Sequence, residues 1–217
     1  VQPPSVPASE TARLLQQNNP ILGSDWSLEY FQGTLAELRQ RSIPQPGENP
    51  GQPAPSLIIW PESPAPFYLG DARLRATIAE ITRRAQAYVL VTGLGVRDPE
   101  LREKSRQIYN SAALVAPGGE WVARYDKLHL VPFGEYVPFR SLLTFAEKLT
   151  REVGDFVPGT QRTVFDLGSF RMGAFICYES IFPGEVRQFA GNGAQVFVNV
   201  SNDGWFGETA APEQHLN

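Results

Sequence analysis

The sequence predicts an α/β fold in which a mostly central sheet is covered by helices, and three observations carry that expectation. Candidate elements follow one another as β-α-β-α-β, then two hairpins, then β-α-β, an alternation that favours such a sheet. Three runs, SLIIW (56–60), YVLVTG (88–93) and residues 195–200, are apolar with little alternation, as strands buried on both faces are. Apolar residues make up 42% of the 217 residues and charged residues 19%, a globular rather than a disordered composition.

Residues 12–16 read as a first strand. Leu28, Phe31, Leu35 and Leu38 recur at helical spacing, so a helix is expected over 25–41 with Ser24 or Asp25 as its N-cap. Five prolines and two glycines between residues 44 and 55 mark a surface loop before the 56–60 strand. Leu74, Ile78, Ile81 and Ala85 predict a second helix over 71–87, followed by the 88–93 strand. Pro117-Gly118-Gly119 joins strands 109–116 and 121–125 in a hairpin, and Gly168-Ser169 joins 164–167 to 170–176 in another. Pro183 suits the first position of a helix, where its missing N–H is not needed, and 195–200 is the last clear strand.

The formal charge of −4 has no basic stripe with interleaved aromatics, which argues against a nucleic-acid partner. One cysteine excludes an internal disulfide framework, and two histidines, His129 and His215, leave little for a metal site. No run approaches the ~18 apolar residues of a membrane-spanning helix, and no signal-peptide pattern opens the chain. Residues 1–10 read as linker, residues 11–217 as one domain, and Pro212 to Leu216 as the first turn of a helix. Both ends are expected to be cuts in a longer protein.

The chemistry-bearing positions lie just past strand ends. Cys177 follows the 170–176 strand and precedes the Pro183 helix, a junction that lifts a side chain above a sheet and turns backbone N–H groups toward a ligand. A lone cysteine is more often a small buried hydrophobe. A nucleophilic thiol also needs a base or a nearby cation. Glu62 directly follows the 56–60 strand, and Lys127 follows the 121–125 strand. Each alone reads as a solvated loop charge. Together, past the ends of strands that run the same way, they converge on one rim, where open α/β sheets bind ligands.

WPES (60–63), YDKLHLVPFGEYVP (125–138) and ICYESIFP (176–183) resemble the three signature segments of the nitrilase (carbon–nitrogen hydrolase) superfamily. The resemblance implies a four-layer αββα sandwich, here truncated at its C-terminal end, and a Glu-Lys-Cys triad without a cofactor. HLVPFGEYVPFR (129–140), CYES and NVSNDGWFG (199–207) followed by PEQHL are similar, within that superfamily, to apolipoprotein N-acyltransferases. That likeness implies the extracytoplasmic catalytic domain of a bacterial inner-membrane enzyme, its membrane helices absent from this chain. A phospholipid would be the acyl donor and a diacylglyceryl apolipoprotein the acceptor, at a membrane surface, with the enzyme a monomer. An amidase of the same superfamily acting on a small C–N bond, and a binding module that has lost its chemistry, are the rival readings.

On this resemblance Cys177 is the nucleophile and Glu62 the general base and acid, with its pKa raised by burial. Lys127 stabilises the oxyanion together with a backbone N–H of the Cys177 turn, and favours the thiolate, so that the sulfur should alkylate faster than a free thiol. Glu135 orients Lys127 or assists proton transfer. Glu179 either takes part in the chemistry or binds backbone at its own turn. Tyr178, Asn202 and Trp205 are pocket residues, Trp205 between glycines suiting a lid, and Asn110 stands behind the hairpin. His129 is expected to be a structural hydrogen-bonder. The apolar series from Val131 to Leu149 is either an arm that dips into a bilayer or a helix packed on the domain.

Overall fold

The structure, a computed structural model, describes residues 10–17, 27–45, 48, 51, 53–97, 107–138, 156–206, 209, 210 and 213, with backbone alone at 205 and 206. Residues 1–9 of the linker, residues 139–149 of the apolar series, the Trp205 side chain and, Glu213 aside, the terminal turn with His215 lie outside these.

The elements are β1 (Ala12–Leu14), α1 (Leu28–Ser42), β2 (Leu57–Ile59), α2 (Ala72–Ala85), β3 (Tyr88–Val96), β4 (Ile108–Val115), β5 (Trp121–Asp126), β6 (Val164–Asp166), β7 (Arg171–Ile176), α3 (Pro183–Gly191) and β8 (Val196–Val200). They form two mixed sheets, one ordered β1-β2-β3-β4-β5 and one ordered β6-β7-β8. In the first, β1, β2 and β3 are parallel, and β4 is antiparallel to both β3 and β5. Strands β2 and β5 therefore point the same way and end on one rim, with β4 starting there. In the second sheet β7 is antiparallel to β6 and parallel to β8.

The two faces of β2 explain its unbroken apolar run. Ile58 and Trp60 turn toward α1 and α2, where Leu35, Leu38, Leu74, Ile78 and Ile81 meet Val89, Val91, Ala113 and Val115. Leu57 and Ile59 turn the other way, with Leu90, Ala112 and Leu114, onto Phe165, Met172, Ala174 and Ile176 of the second sheet. Helix α3 lies against the second sheet, its Phe189 against Gly173, where even a Cβ would come 3.0 Å from the Phe189 side chain. The layers are helix, sheet, sheet, helix. The expected four-layer α/β sandwich is the observed fold.

Local differences have identifiable causes. The N-cap of α1 is Ser27, not Ser24 or Asp25, because its hydroxyl accepts from the Tyr30 N–H at 3.0 Å. Strand β3 runs to Val96 rather than stopping at Gly93. Gly93 and Gly95 mark close approaches, since a Cβ there would lie 2.6 Å from the Phe67 carbonyl oxygen and 2.3 Å from Ser111 Oγ. β1 closes at Leu14, short of residue 16. Both hairpins form, with positive φ at Gly119 (97°) and Gly168 (83°).

One further glycine positions the site. The Gly159 N–H donates to the Lys127 carbonyl at 2.8 Å, and a Cβ at Gly159 would sit 2.1 Å from the Asp126 carbonyl oxygen. Gly159→Ala is therefore expected to cost about 1–3 kcal/mol through forced backbone displacement. Gly33→Ala, in open space within α1, should instead be neutral or stabilising by up to ~1 kcal/mol. Thermal denaturation of the two variants checks both signs.

Candidate active site

Trp60 ends β2 inside the core, its indole N–H donating to Ser42 Oγ at 3.0 Å and its backbone N–H to the Leu90 carbonyl at 3.0 Å. The chain then turns sharply through Ser63, which has a φ of 38°. Thr92 on β3 locks this turn from both sides: its hydroxyl donates to the Pro61 carbonyl and accepts from the Ser63 N–H. Glu62, held between those residues, is buried. Its Oε1 accepts from Asn110 Nδ2 at 3.0 Å and its Oε2 from the Asn202 N–H at 3.1 Å. Burial raises its carboxyl above the ordinary range, and nearby Glu135 adds to the rise, against opposing pulls from Lys127 and Asn110.

Lys127 leaves β5 with its N–H on the Asn110 carbonyl at 2.8 Å, and its side chain is 1% exposed. The ammonium lies 3.0 Å from Glu135 Oε2 and 3.8 Å from Glu62 Oε1. Burial alone would depress Lys127, but the charges of Glu62 and Glu135 outweigh it and the net shift is upward. The cation therefore stays charged. Glu135 sits on a tight turn in which Phe133 adopts a φ of 61°, and its Oε2 also accepts from the Val131 N–H at 2.8 Å. Asn110, near the start of β4, donates through one amide nitrogen to Glu62 and, at 2.8 Å, to Glu135 Oε1. Three strands thus bring Glu62, Lys127, Glu135 and Asn110 into one connected cluster.

Cys177 follows β7 with a φ of 50° and opens a short 3-10 turn, Cys177–Ile181, ahead of α3. This strained, left-handed backbone is the sharp strand-to-helix turn expected at the position. Glu62 and Lys127 both lie close enough to bias the ionisation of its sulfur, which is also hydrogen-bonded by Ser201 and the Tyr178 N–H. The thiol is pushed up to about 11, by burial first and the Glu62 charge second, and Lys127 recovers only part of the shift. Lys127 favours the thiolate as expected, but burial and Glu62 outweigh it, so alkylation faster than a free thiol is no longer expected. The balance favours the protonated sulfur, with the Glu62 carboxyl group close by.

The remaining candidates divide. Glu179 binds backbone and a phenol rather than the cluster: Oε1 accepts from Tyr125 OH at 2.7 Å, Leu128 N–H at 2.8 Å and His129 N–H at 3.1 Å, and Oε2 from Ile176 N–H at 2.7 Å. Tyr178 packs edge-on against Phe182, ring centroids 5.2 Å apart. Asn202 acts through its backbone. His129 stacks on Phe182 with centroids 4.6 Å apart, its Nε2 faces Glu185 Oε2 at 3.7 Å, and its backbone N–H donates to Glu179, a structural part as expected. Sequence reasoning missed Thr92, Ser201 and Tyr125. Tyr125 stood inside the YDKLHL segment and Ser201 inside NVSNDGWFG, while the hydroxyl of Thr92 gave no local signal.

The sandwich with its cysteine at a β7 turn is the nitrilase-type fold. A mutant of the Nesterenkonia AN1 amidase from the nitrilase superfamily superposes with a TM-score of 0.56 at 22% identity, over 97% of this chain and 72% of that one. A carbon–nitrogen hydrolase from Helicobacter pylori G27 gives 0.57 at 18% identity, over 88% of this chain and 60% of that one. The family model described as carbon-nitrogen hydrolase matches residues 11–217, and the chain belongs to that family. An apolipoprotein N-acyltransferase of Geobacter metallireducens is 37% identical over 206 residues, 94% of this chain and 38% of that protein. One from Bradyrhizobium diazoefficiens is 37% identical over 227 residues, 100% of this chain and 41% of that protein. The chain thus spans about two fifths of the length of these relatives.

With its proton held, Cys177 should alkylate in the substrate-free protein with a midpoint near 11, against ~8.5 for a free thiol. Iodoacetamide labelling as a function of pH, read by mass spectrometry, is expected to be slower than for a model thiol at neutral pH. Lys127→Met should slow it further, since a nearby cation that lowers the thiol is removed.

Proposed function

We propose that this domain carries out the chemistry of an apolipoprotein N-acyltransferase, moving a fatty acyl group from a phospholipid to the α-amine of a diacylglyceryl-cysteine. The observation that carries the reading is the buried Glu62–Lys127–Glu135 cluster beside Cys177, in a chain 37% identical to proteins of that name.

In the first half-reaction Glu62 takes the Cys177 proton as sulfur attacks the ester carbonyl of the phospholipid. The Lys127 ammonium and the Tyr178 N–H stabilise the resulting oxyanion. Collapse breaks the C–O bond, and the lysophospholipid alkoxide leaves with the proton from Glu62, so a thioester remains on Cys177. In the second half the acceptor amine attacks the thioester and loses its proton to Glu62. The C–S bond breaks, the sulfur is reprotonated, and the amide departs. Glu135 holds Lys127 in place while Glu62 changes charge, and Asn110 ties the two carboxylates together.

Water must lose to the amine, which a dry, apolar approach favours. Phe133 fits such an approach: it is 61% exposed on the turn that supplies Glu135. A lipid-facing role for that turn, placement on the extracytoplasmic side of a bacterial inner membrane, and a monomeric state belong to the same proposal. No helix among the described residues is long and apolar enough to cross a membrane.

The test is a covalent adduct. Full-length protein incubated with phospholipid should carry the donor's acyl mass on the Cys177 peptide and pass it to a diacylglyceryl peptide. Glu62→Gln and Cys177→Ala should give no adduct, and Lys127→Met should slow its formation roughly 10²–10³-fold. Adduct formation should also fall on acidification through a pKa above the ordinary ~4.3 of glutamate, because the base form of Glu62 is required and its pKa is raised. No acyl adduct on the wild-type protein, with ammonia released from simple amides instead, would replace this reading with an amidase.

A further inference from the structure

We infer that Tyr125, acting through Glu179, is a positioning residue that sets the separation of the oxyanion-binding ammonium and the nucleophilic sulfur. The inference rests on the roles proposed above for Lys127 and Cys177. Those two side chains belong to different sheets, Lys127 following β5 and Cys177 following β7. Among the described residues no backbone ladder joins the two sheets, so side chains must fix how far apart their strand ends lie.

Glu179 spans that gap with one oxygen for each side. Its Oε1 gathers Tyr125 OH, Leu128 N–H and His129 N–H, which bracket Lys127. Its Oε2 takes the N–H of Ile176, immediately before Cys177. The carboxylate is buried, and its turn also supplies the nucleophile two residues earlier. Tyr125 is the only one of the four donors that is a side chain, and its ring is itself fixed. It is 1% exposed and meets Phe189 of α3 edge-on at 5.6 Å. The phenol proton is firmly held, because burial and the Glu179 charge both raise its pKa. Tyr125 and Glu179 thus form a rigid inter-sheet strut, tied at one end to the segment of Lys127 and at the other to the turn of Cys177.

A strut of this kind should govern rate more than lipid binding. A displacement of about 1 Å between reacting groups costs up to ~10²-fold. In full-length Tyr125→Phe, which keeps the ring and removes one donor, the single-turnover rate of acyl-adduct formation at saturating phospholipid should fall by roughly 10- to 100-fold. The half-saturating lipid concentration should stay unchanged. Cys177 alkylation by iodoacetamide at a fixed, mildly alkaline pH should slow several-fold as Lys127 drifts from the sulfur.

Glu179→Gln should be slow as well, since an amide cannot accept hydrogen bonds at both ends. The double variant Tyr125→Phe/Glu179→Gln should be little slower than Glu179→Gln alone, because one link is broken twice. A Tyr125→Phe protein with wild-type adduct and alkylation rates would overturn the inference. So would rates that are normal per active site once the folded fraction is counted by adduct stoichiometry, or an effect confined to lipid concentration dependence. Alkylation needs no acyl donor. Failure of the wild type to form any acyl adduct would therefore defeat the proposed function, while the alkylation comparison still decides the strut.

Discussion

A lysine ammonium almost sealed from water is the constraint around which this domain is arranged. Removing such a cation from water costs several kcal/mol even after relaxation, and Lys127 is kept charged by two carboxylates rather than one. Glu135 takes the hydrogen bonds and Glu62 stands slightly farther off. The division matters for chemistry. If a single carboxylate were both partner and base, each proton transfer would strip the lysine of its counter-ion. With Glu135 as the closer partner, Glu62 would be free to gain and lose a proton in the proposed reaction.

The surroundings follow from this need. A second buried carboxylate must itself be supported, and Asn110 supplies one amide nitrogen to both. The turn after β2 must hold Glu62 without solvent, and Thr92 supplies the hydroxyl that closes it. The turn carrying Glu135 accepts an unfavourable φ at Phe133, and Cys177 carries a similar one at its own turn. Among the described residues, two of the four non-glycine positions with positive φ lie in the Glu62 and Cys177 turns, one at Ser63 and one at Cys177 itself, and a third is Phe133 beside Glu135. Backbone strain gathers where reactive groups must be aimed.

Much of this was legible in the residues. Strand ends at Glu62, Lys127 and Cys177 could be placed because apolar runs and turn residues are local signals, and helix α2 announced itself through Leu74, Ile78, Ile81 and Ala85. The four-layer arrangement came instead from resemblance to known signature segments. What stayed hidden was non-local. Nothing near Thr92 says that its hydroxyl closes a turn about thirty residues away, and Glu179 offered two readings until its donors were seen to come from both sheets. The glycines of β3 misled for a related reason: a strand ending and a strand crowded by its neighbours look alike in one dimension. Burial at the sulfur, likewise, outweighs the pull of its cationic neighbour, a balance that spacing in the sequence does not give.

Burial of the sulfur also bears on its durability. Thiolates, rather than thiols, attack peroxide and disulfides, and a cysteine that oxidises to sulfenic acid is usually rescued by a second thiol. This chain has one cysteine, so no resolving partner is at hand within it. A thiol held toward its protonated form by burial is, for the same reason, less open to oxidants and stray electrophiles.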